Sequence, residues 1–148
     1  MKMSQDVEAL VEQYIQLEQR KKEEADQSRR FSESSMNVLL QLGGTMKQLV
    51  QEFNVRLDRD VCQCDAGTDP TSFIVLRKID DLMLQVQLDS SQKKISFSCQ
   101  PLGINESFNL VYRVNQLALV QGNPRLGDSV VYSAREAANK ALFSFVSK

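Results

Sequence analysis

The sequence predicts an α+β fold: two N-terminal helices (or one long bent helix), an antiparallel β-meander of four to six strands, and a C-terminal helix packed on one face of the sheet. Two observations support this prediction. Apolar residues recur every three or four positions up to about residue 58 and again after residue 133, which is the period of an amphipathic helix. Between these segments they alternate with polar residues, which is the period of a strand with one buried face.

The first segment, residues 4–30, contains neither Gly nor Pro and begins with one apolar stripe. The stripe consists of Val7, Leu10, Val11, Tyr14 and Leu17. It fades over residues 18–30 (EQRKKEEADQSRR), where charged side chains cover every face of a helix. This second half is therefore predicted to be a solvated helix or a helical linker.

A second apolar seam lies on residues 31–58, and we predict it to be the interaction seam of a helical dimerisation element. Its members fall on alternating three- and four-residue steps over three heptads: Met36, Leu39, Gly43, Met46, Val50, Phe53 and Leu57. Extension of the first stripe by sevens from Tyr14 reaches Ser35 and not Met36. This phase difference favours two helices, or one helix that changes partner, over an unbroken coiled coil.

The glycine pair Gly43-Gly44 falls in the middle of this second segment. Each glycine costs about 1 kcal/mol relative to alanine in a helix interior, so the pair predicts either a bend or a close helix contact. A phosphate-binding loop is disfavoured, because no strand precedes the pair and no Gly-Lys-Ser/Thr follows it.

From Cys62 the period changes from 3.6 to 2. Strands are predicted over residues 62–66, 72–79, 82–89, 94–100, 107–114 and 117–120, followed by a loop at 121–128. Ser133 and Glu136 form a capping box at the start of a helix over residues 133–147. We therefore predict a helical arm at 1–58 and a two-layer α+β domain at 59–148.

Composition excludes several kinds of function. The chain of 148 residues has a formal net charge of −1 and contains no histidine. The charge argues against nucleic acid as a partner, and the missing histidine removes the commonest general base and metal ligand. We expect no enzyme, no cofactor and no metal site. The start carries no signal-like apolar region and no apolar run reaches 18 residues, so we expect a cytoplasmic protein with no membrane partner.

The segment DVCQCDAG, residues 60–67, is the stretch most suggestive of chemistry. A structural zinc site needs four ligands, and beyond Cys62 and Cys64 only Cys99 and Asp65 are at hand. A disulfide between alternate residues of one strand is near the geometric limit. We therefore predict both residues to be free thiols that face the core and react slowly. The aspartates near this junction are predicted to be turn residues: Asp58, Asp60, Asp65, Asp69, Asp80 and Asp81.

The function that these observations favour is a non-enzymatic protein–protein interaction or assembly module. It would self-associate through its N-terminal helices, most simply as a homodimer. The alternative is a small apolar-ligand-binding domain with a pocket between sheet and helices. Its possible lining residues are Phe73, Met83, Phe97, Tyr112 and Phe145. A third and less favoured hypothesis is an enzyme that uses Asp, Arg and Tyr side chains.

Overall fold

The computed structural model describes residues 2–114, 116–122 and 129–148, with side chains from residue 6 onward. It is an α+β structure with helix α1 (Lys2–Leu57), an antiparallel sheet and helix α2 (Ala134–Ser147). The strands are β1 (Cys62–Ala66), β2 (Ser72–Arg77), β3 (Leu82–Asp89), β4 (Lys94–Cys99), β5 (Ile104–Arg113), β6 (Gln116–Gln121) and β7 (Val130–Tyr132). The chain divides into two compact units, residues 1–33 and Ser34–Lys148, whereas the sequence predicts a boundary after residue 58.

Helix α1 is one helix, which excludes the first of the two predicted alternatives, two separate N-terminal helices. Residues 18–30 continue the helix because they are rich in Glu, Gln, Lys and Arg, which lose little side-chain freedom in a helix. Ion pairs one turn apart support the same segment. Lys21 lies 3.7 Å from Glu24, and Arg29 lies 3.3 Å from Asp26. The helix also continues through the glycine pair without a break.

The C-terminal end of α1 leads directly into the sheet. Asp58 adopts a left-handed conformation (φ 55°), and the amides of Asp58 and Arg59 donate to the carbonyls of Val55 and Asn54. These two hydrogen bonds form a Schellman motif, which ends the helix. The Asn54 side chain then fixes the first strand, because its Nδ2 donates to the Cys62 carbonyl (2.9 Å) and its Oδ1 accepts from the Cys62 amide (3.2 Å).

The sheet has seven strands in the order β1-β2-β3-β4-β5-β6-β7, with every neighbouring pair antiparallel. The meander is as predicted, but the predicted count of four to six strands is too low. The additional strand, β7, pairs with β6 and is only three residues long, too short to show an alternating pattern. It follows the predicted loop at 121–128, of which residues 123–128 lie outside the described residues.

The part of α1 that belongs to the second unit and helix α2 cover one face of the sheet. Phe73, Val86, Phe97 and Glu106 form a cross-strand row on this face, from β2 to β5. A Cβ placed on Gly43 of α1 would lie 3.6 Å from the Phe73 ring, and α2 reaches Glu106 at the other end of the row. The opposite face carries the row Ile74, Gln85, Ser98 and Asn105. Gln85 and Asn105 are exposed, so this face is largely open to solvent.

Helix α2 begins as predicted. The Ser133 hydroxyl accepts from the Glu136 amide, and the Glu136 carboxylate accepts from the Ser133 amide. Its buried stripe is Ala137, Ala138, Ala141, Leu142 and Phe145. The alanines add little bulk, which favours close approach of the helix to the sheet.

Two cationic side chains of the second unit attach α2 to the sheet. Lys140 lies 2.9 Å from the Glu106 carboxylate and donates to the Gln121 side-chain oxygen at 2.6 Å. At the other end, Arg77 Nη1 donates to the carbonyl of Phe145 at 2.6 Å, which satisfies one of the last carbonyls of the helix. The alternating pattern of the strands does not identify either contact.

Candidate functional site

All seven residues of the predicted interaction seam lie in the second unit. Leu39, Met46 and Val50 are buried, and Gly43 faces the Phe73 ring. Of the remaining members, Met36 and Phe53 are half-buried and Leu57 is exposed. Because three of these side chains are already covered by their own unit, they are not accessible to a partner of the folded chain.

The buried positions of α1 in the second unit can be compared with the heptad series of its two apolar stripes. Extension by sevens from Tyr14 gives Ser35, Leu42 and Leu49, and all three are buried. Leu39, Met46 and Val50 of the predicted seam are buried as well, so the buried face of α1 in the second unit includes members of both series.

The first unit carries an apolar stripe that is exposed to solvent. We call it the N-terminal stripe, and its members are Val7, Leu10, Val11, Tyr14, Ile15 and Leu17. Their exposed fractions lie between 39% for Leu17 and 65% for Leu10. Single exposed apolar residues are normal on a protein surface, whereas a contiguous stripe of six at helical spacing is typical of an interaction site.

Polar residues border the N-terminal stripe on one side. If Val7 and Tyr14 are heptad positions a, then Leu10 and Leu17 are positions d. The flanking g positions are then occupied by Asp6, Gln13 and Arg20. Within the part of the chain that the structure describes, neither Asp6 nor Arg20 forms an ion pair. Both charged side chains are exposed to solvent.

The three cysteines are free. Cys62 and Cys99 are buried, and Cys64 is half-buried on strand β1. Burial raises the pKa of the Cys64 thiol to about 11, and the neighbouring Asp65 carboxylate acts in the same direction. Burial also raises the pKa of Cys62. Protonated thiols are poor nucleophiles and poor metal ligands, so this geometry does not favour reactive cysteine chemistry.

Four of the six aspartates predicted as turn residues have side-chain partners. Asp65 accepts a hydrogen bond from Gln63 Nε2 at 3.0 Å. Asp60 lies 3.0 Å from Lys78, and Asp80 lies 2.6 Å from Arg77, whose hydrogen bonds lower the pKa of that carboxyl. Asp69 accepts hydrogen bonds from the amide and hydroxyl of Thr71, and these hydrogen bonds lower the pKa of the Asp69 carboxyl. Each carboxylate thus stabilises its own turn or strand end.

The residues proposed to line a ligand pocket do not lie together. Phe97 and Phe145 are fully buried and Phe73 nearly so, and they fill the space between sheet and helices. Met83 and Tyr112 are 52% and 50% exposed. An open depression does exist on the outer face of the sheet. Its lining comes from strands β1 to β5 and their connections: Ala66, Gly67, Thr68, Ile74, Met83, Gln85, Ser98, Cys99, Gln100, Ile104 and Asn105.

In the described part of the chain, no helix is long and apolar enough to cross a membrane. Across the same residues, no group of three or more Cys, Asp or Glu side chains is arranged to hold a metal ion. Comparison with known proteins gives no match to a family model, to a curated protein or to a solved structure.

Proposed function

We propose that this protein is a non-enzymatic interaction module that self-associates through the N-terminal stripe. The observation that carries the proposal is the exposure of six apolar side chains at helical spacing on the first unit. An amphipathic helix normally gains most of its stability by burying its apolar face against another element. Here that face is open, so a second helix would supply the missing contact.

A second copy of the same chain fits this surface. In a twofold dimer the same patch of both subunits meets, so an apolar stripe on one copy is matched by an apolar stripe on the other. Four residues supply the a and d positions of a short helix–helix seam, namely Val7, Leu10, Tyr14 and Leu17. The lack of histidine and the local pairing of the aspartates support a non-enzymatic role.

Substitution of the two d-position leucines tests this proposal. The full chain should sediment as a concentration-dependent dimer. The double variant Leu10→Glu/Leu17→Glu should sediment as a monomer, because each dimer would have to bury four carboxylates. A matched control is Gln16→Glu/Gln19→Glu, which adds the same charge on the other side of the helix and should leave the dimer intact.

The result also has to separate association from folding. Urea unfolding of the second unit, followed by near-ultraviolet circular dichroism of its tyrosines, should be the same in both double variants and the wild type. A wild-type chain that is monomeric at all accessible concentrations would contradict the proposal. So would a Leu10→Glu/Leu17→Glu variant that dimerises as strongly as the wild type.

A further inference from the structure

We infer that the two copies pair antiparallel along residues 6–20, with Asp6 of each copy beside Arg20 of the other. This inference rests on the proposed self-association and adds the orientation and register of the partner helix. It uses the positions of residues along α1 and the exposure of their side chains in the first unit.

The antiparallel register is set by the apolar layers. If the twofold axis passes between the helices at the level of residue 12, Val7 packs against Leu17 of the second copy, and Leu10 packs against Tyr14. Symmetry repeats both layers, so the seam has four layers and each is apolar. A position a then meets a position d in every layer, as an antiparallel helix pair requires. The seam from residue 7 to residue 17 is about 15 Å long.

The flanking positions favour the same arrangement. In an antiparallel pair, positions g lie beside positions g of the partner, and positions e lie beside positions e. Asp6 then lies beside Arg20 of the second copy, twice in each dimer, and Gln13 lies beside its own symmetry mate. On the other side, the exposed Val11 meets Val11 of the second copy, which covers it with an apolar contact.

A parallel pair in register lacks this complementarity. Position g then lies beside position e of the partner, so the carboxylate of Asp6 would lie beside the apolar Val11. The next layers after Leu17 would place Lys21 against Lys21 and Glu24 against Glu24. Like charges that face each other destabilise a helix pair, whereas opposite charges at the flanks select the partner and its orientation.

A charge-swap experiment on the full chain tests the antiparallel register. Asp6→Arg and Arg20→Asp each convert two attractive pairs of the dimer into two repulsive ones, so each should raise the dimer Kd about tenfold at low salt. The double variant Asp6→Arg/Arg20→Asp restores opposite charges and should return the Kd to within about twofold of wild type. Sedimentation equilibrium over a wide concentration range measures all four constants.

A matched control carries the same charge change as Asp6→Arg on the outward side of the helix. Glu12→Arg occupies heptad position f, opposite the seam, and should leave the Kd near the wild-type value. Far-ultraviolet circular dichroism would confirm equal helix content in all variants.

The outcomes separate the two proposals. If the wild-type dimer forms but the double swap fails to recover the affinity lost in the single variants, the antiparallel register is wrong and self-association stands. Single swaps that leave the Kd unchanged would also overturn the register. A wild-type chain that never dimerises would overturn the proposed function itself.

Discussion

Replacement of Met46 by alanine tests whether α1 packs on the sheet of its own chain. Met46 is 0% exposed, and it lies three residues after Gly43, which faces the Phe73 ring. The same residue was predicted from sequence to lie in a seam between two copies. The two placements differ in one measurable respect, because an intramolecular contact contributes equally at every protein concentration, whereas an intermolecular contact contributes more at high concentration.

The size of the effect follows from the atoms removed. Truncation to alanine takes away Cγ, Sδ and Cε, worth about 2.4 kcal/mol at about 0.8 kcal/mol per buried group. The cavity left behind adds to this loss, so the free energy of unfolding should fall by about 3–4 kcal/mol. With a urea m-value of roughly 2 kcal/mol/M, the unfolding midpoint should fall by about 1.5–2 M.

Leu40 supplies the matched control, because it lies on the same helix and is 66% exposed. Leu40→Ala should change the free energy of unfolding by less than about 0.5 kcal/mol. Urea titrations followed by circular dichroism at two protein concentrations, a hundredfold apart, measure both variants. Equal losses for Met46→Ala and Leu40→Ala would refute the packing of α1 on its own sheet. A loss for Met46→Ala that grows with concentration would place Met46 in an intermolecular seam.

The remaining predictions concern strand β1 and the glycines. Alkylation of Cys64 at pH 8 in the native protein should be about a hundredfold slower than in urea, because its pKa is raised to about 11 and few thiolates form; equal rates would contradict the burial. Because the unfolded chain loses this proton first, at about its ordinary pKa of 9.0, stability should fall as the pH rises from 9 to 11, and less steeply in Cys64→Ala. Gly44→Ala should stabilise the protein by about 0.5–1 kcal/mol, since the added Cβ meets no atom within 4 Å. Gly67→Ala should destabilise it, because the added Cβ would lie 2.8 Å from the backbone carbon of Ser72; thermal unfolding that shows the same sign for both glycines would contradict this.

Local sequence patterns were sufficient for several elements. The alternation from Leu82 to Cys99 predicts strands β3 and β4, because a strand with one covered face needs an apolar residue at every second position. The capping box of Ser133 and Glu136 marks the start of α2, because the first amides of a helix need local acceptors. These features depend on neighbours within a few residues of the chain.

The hydrogen-bonded junctions could not be found in the same way. The Asn54 side chain holds strand β1 by hydrogen bonds. Arg77 donates a hydrogen bond to a carbonyl of α2 that lies 68 residues later in the sequence. An asparagine near a helix end and an arginine at a strand end are common, and neither residue type indicates a distant partner. Strand β7 was not predicted from the sequence for a related reason. Its three residues form a strand only because they pair with β6.

Periodicity by itself determined that α1 has an apolar stripe at Val7–Leu17 and another around Leu39–Val50, since each pattern fixes which side chains share a helix face. It did not determine what covers each face. Only the tertiary structure decided that the second stripe packs within its own unit, while the first remains exposed. The physical reason is that an apolar side chain leaves water equally well against a sheet of its own chain or against a partner. The choice depends on the surfaces that the rest of the fold brings into contact.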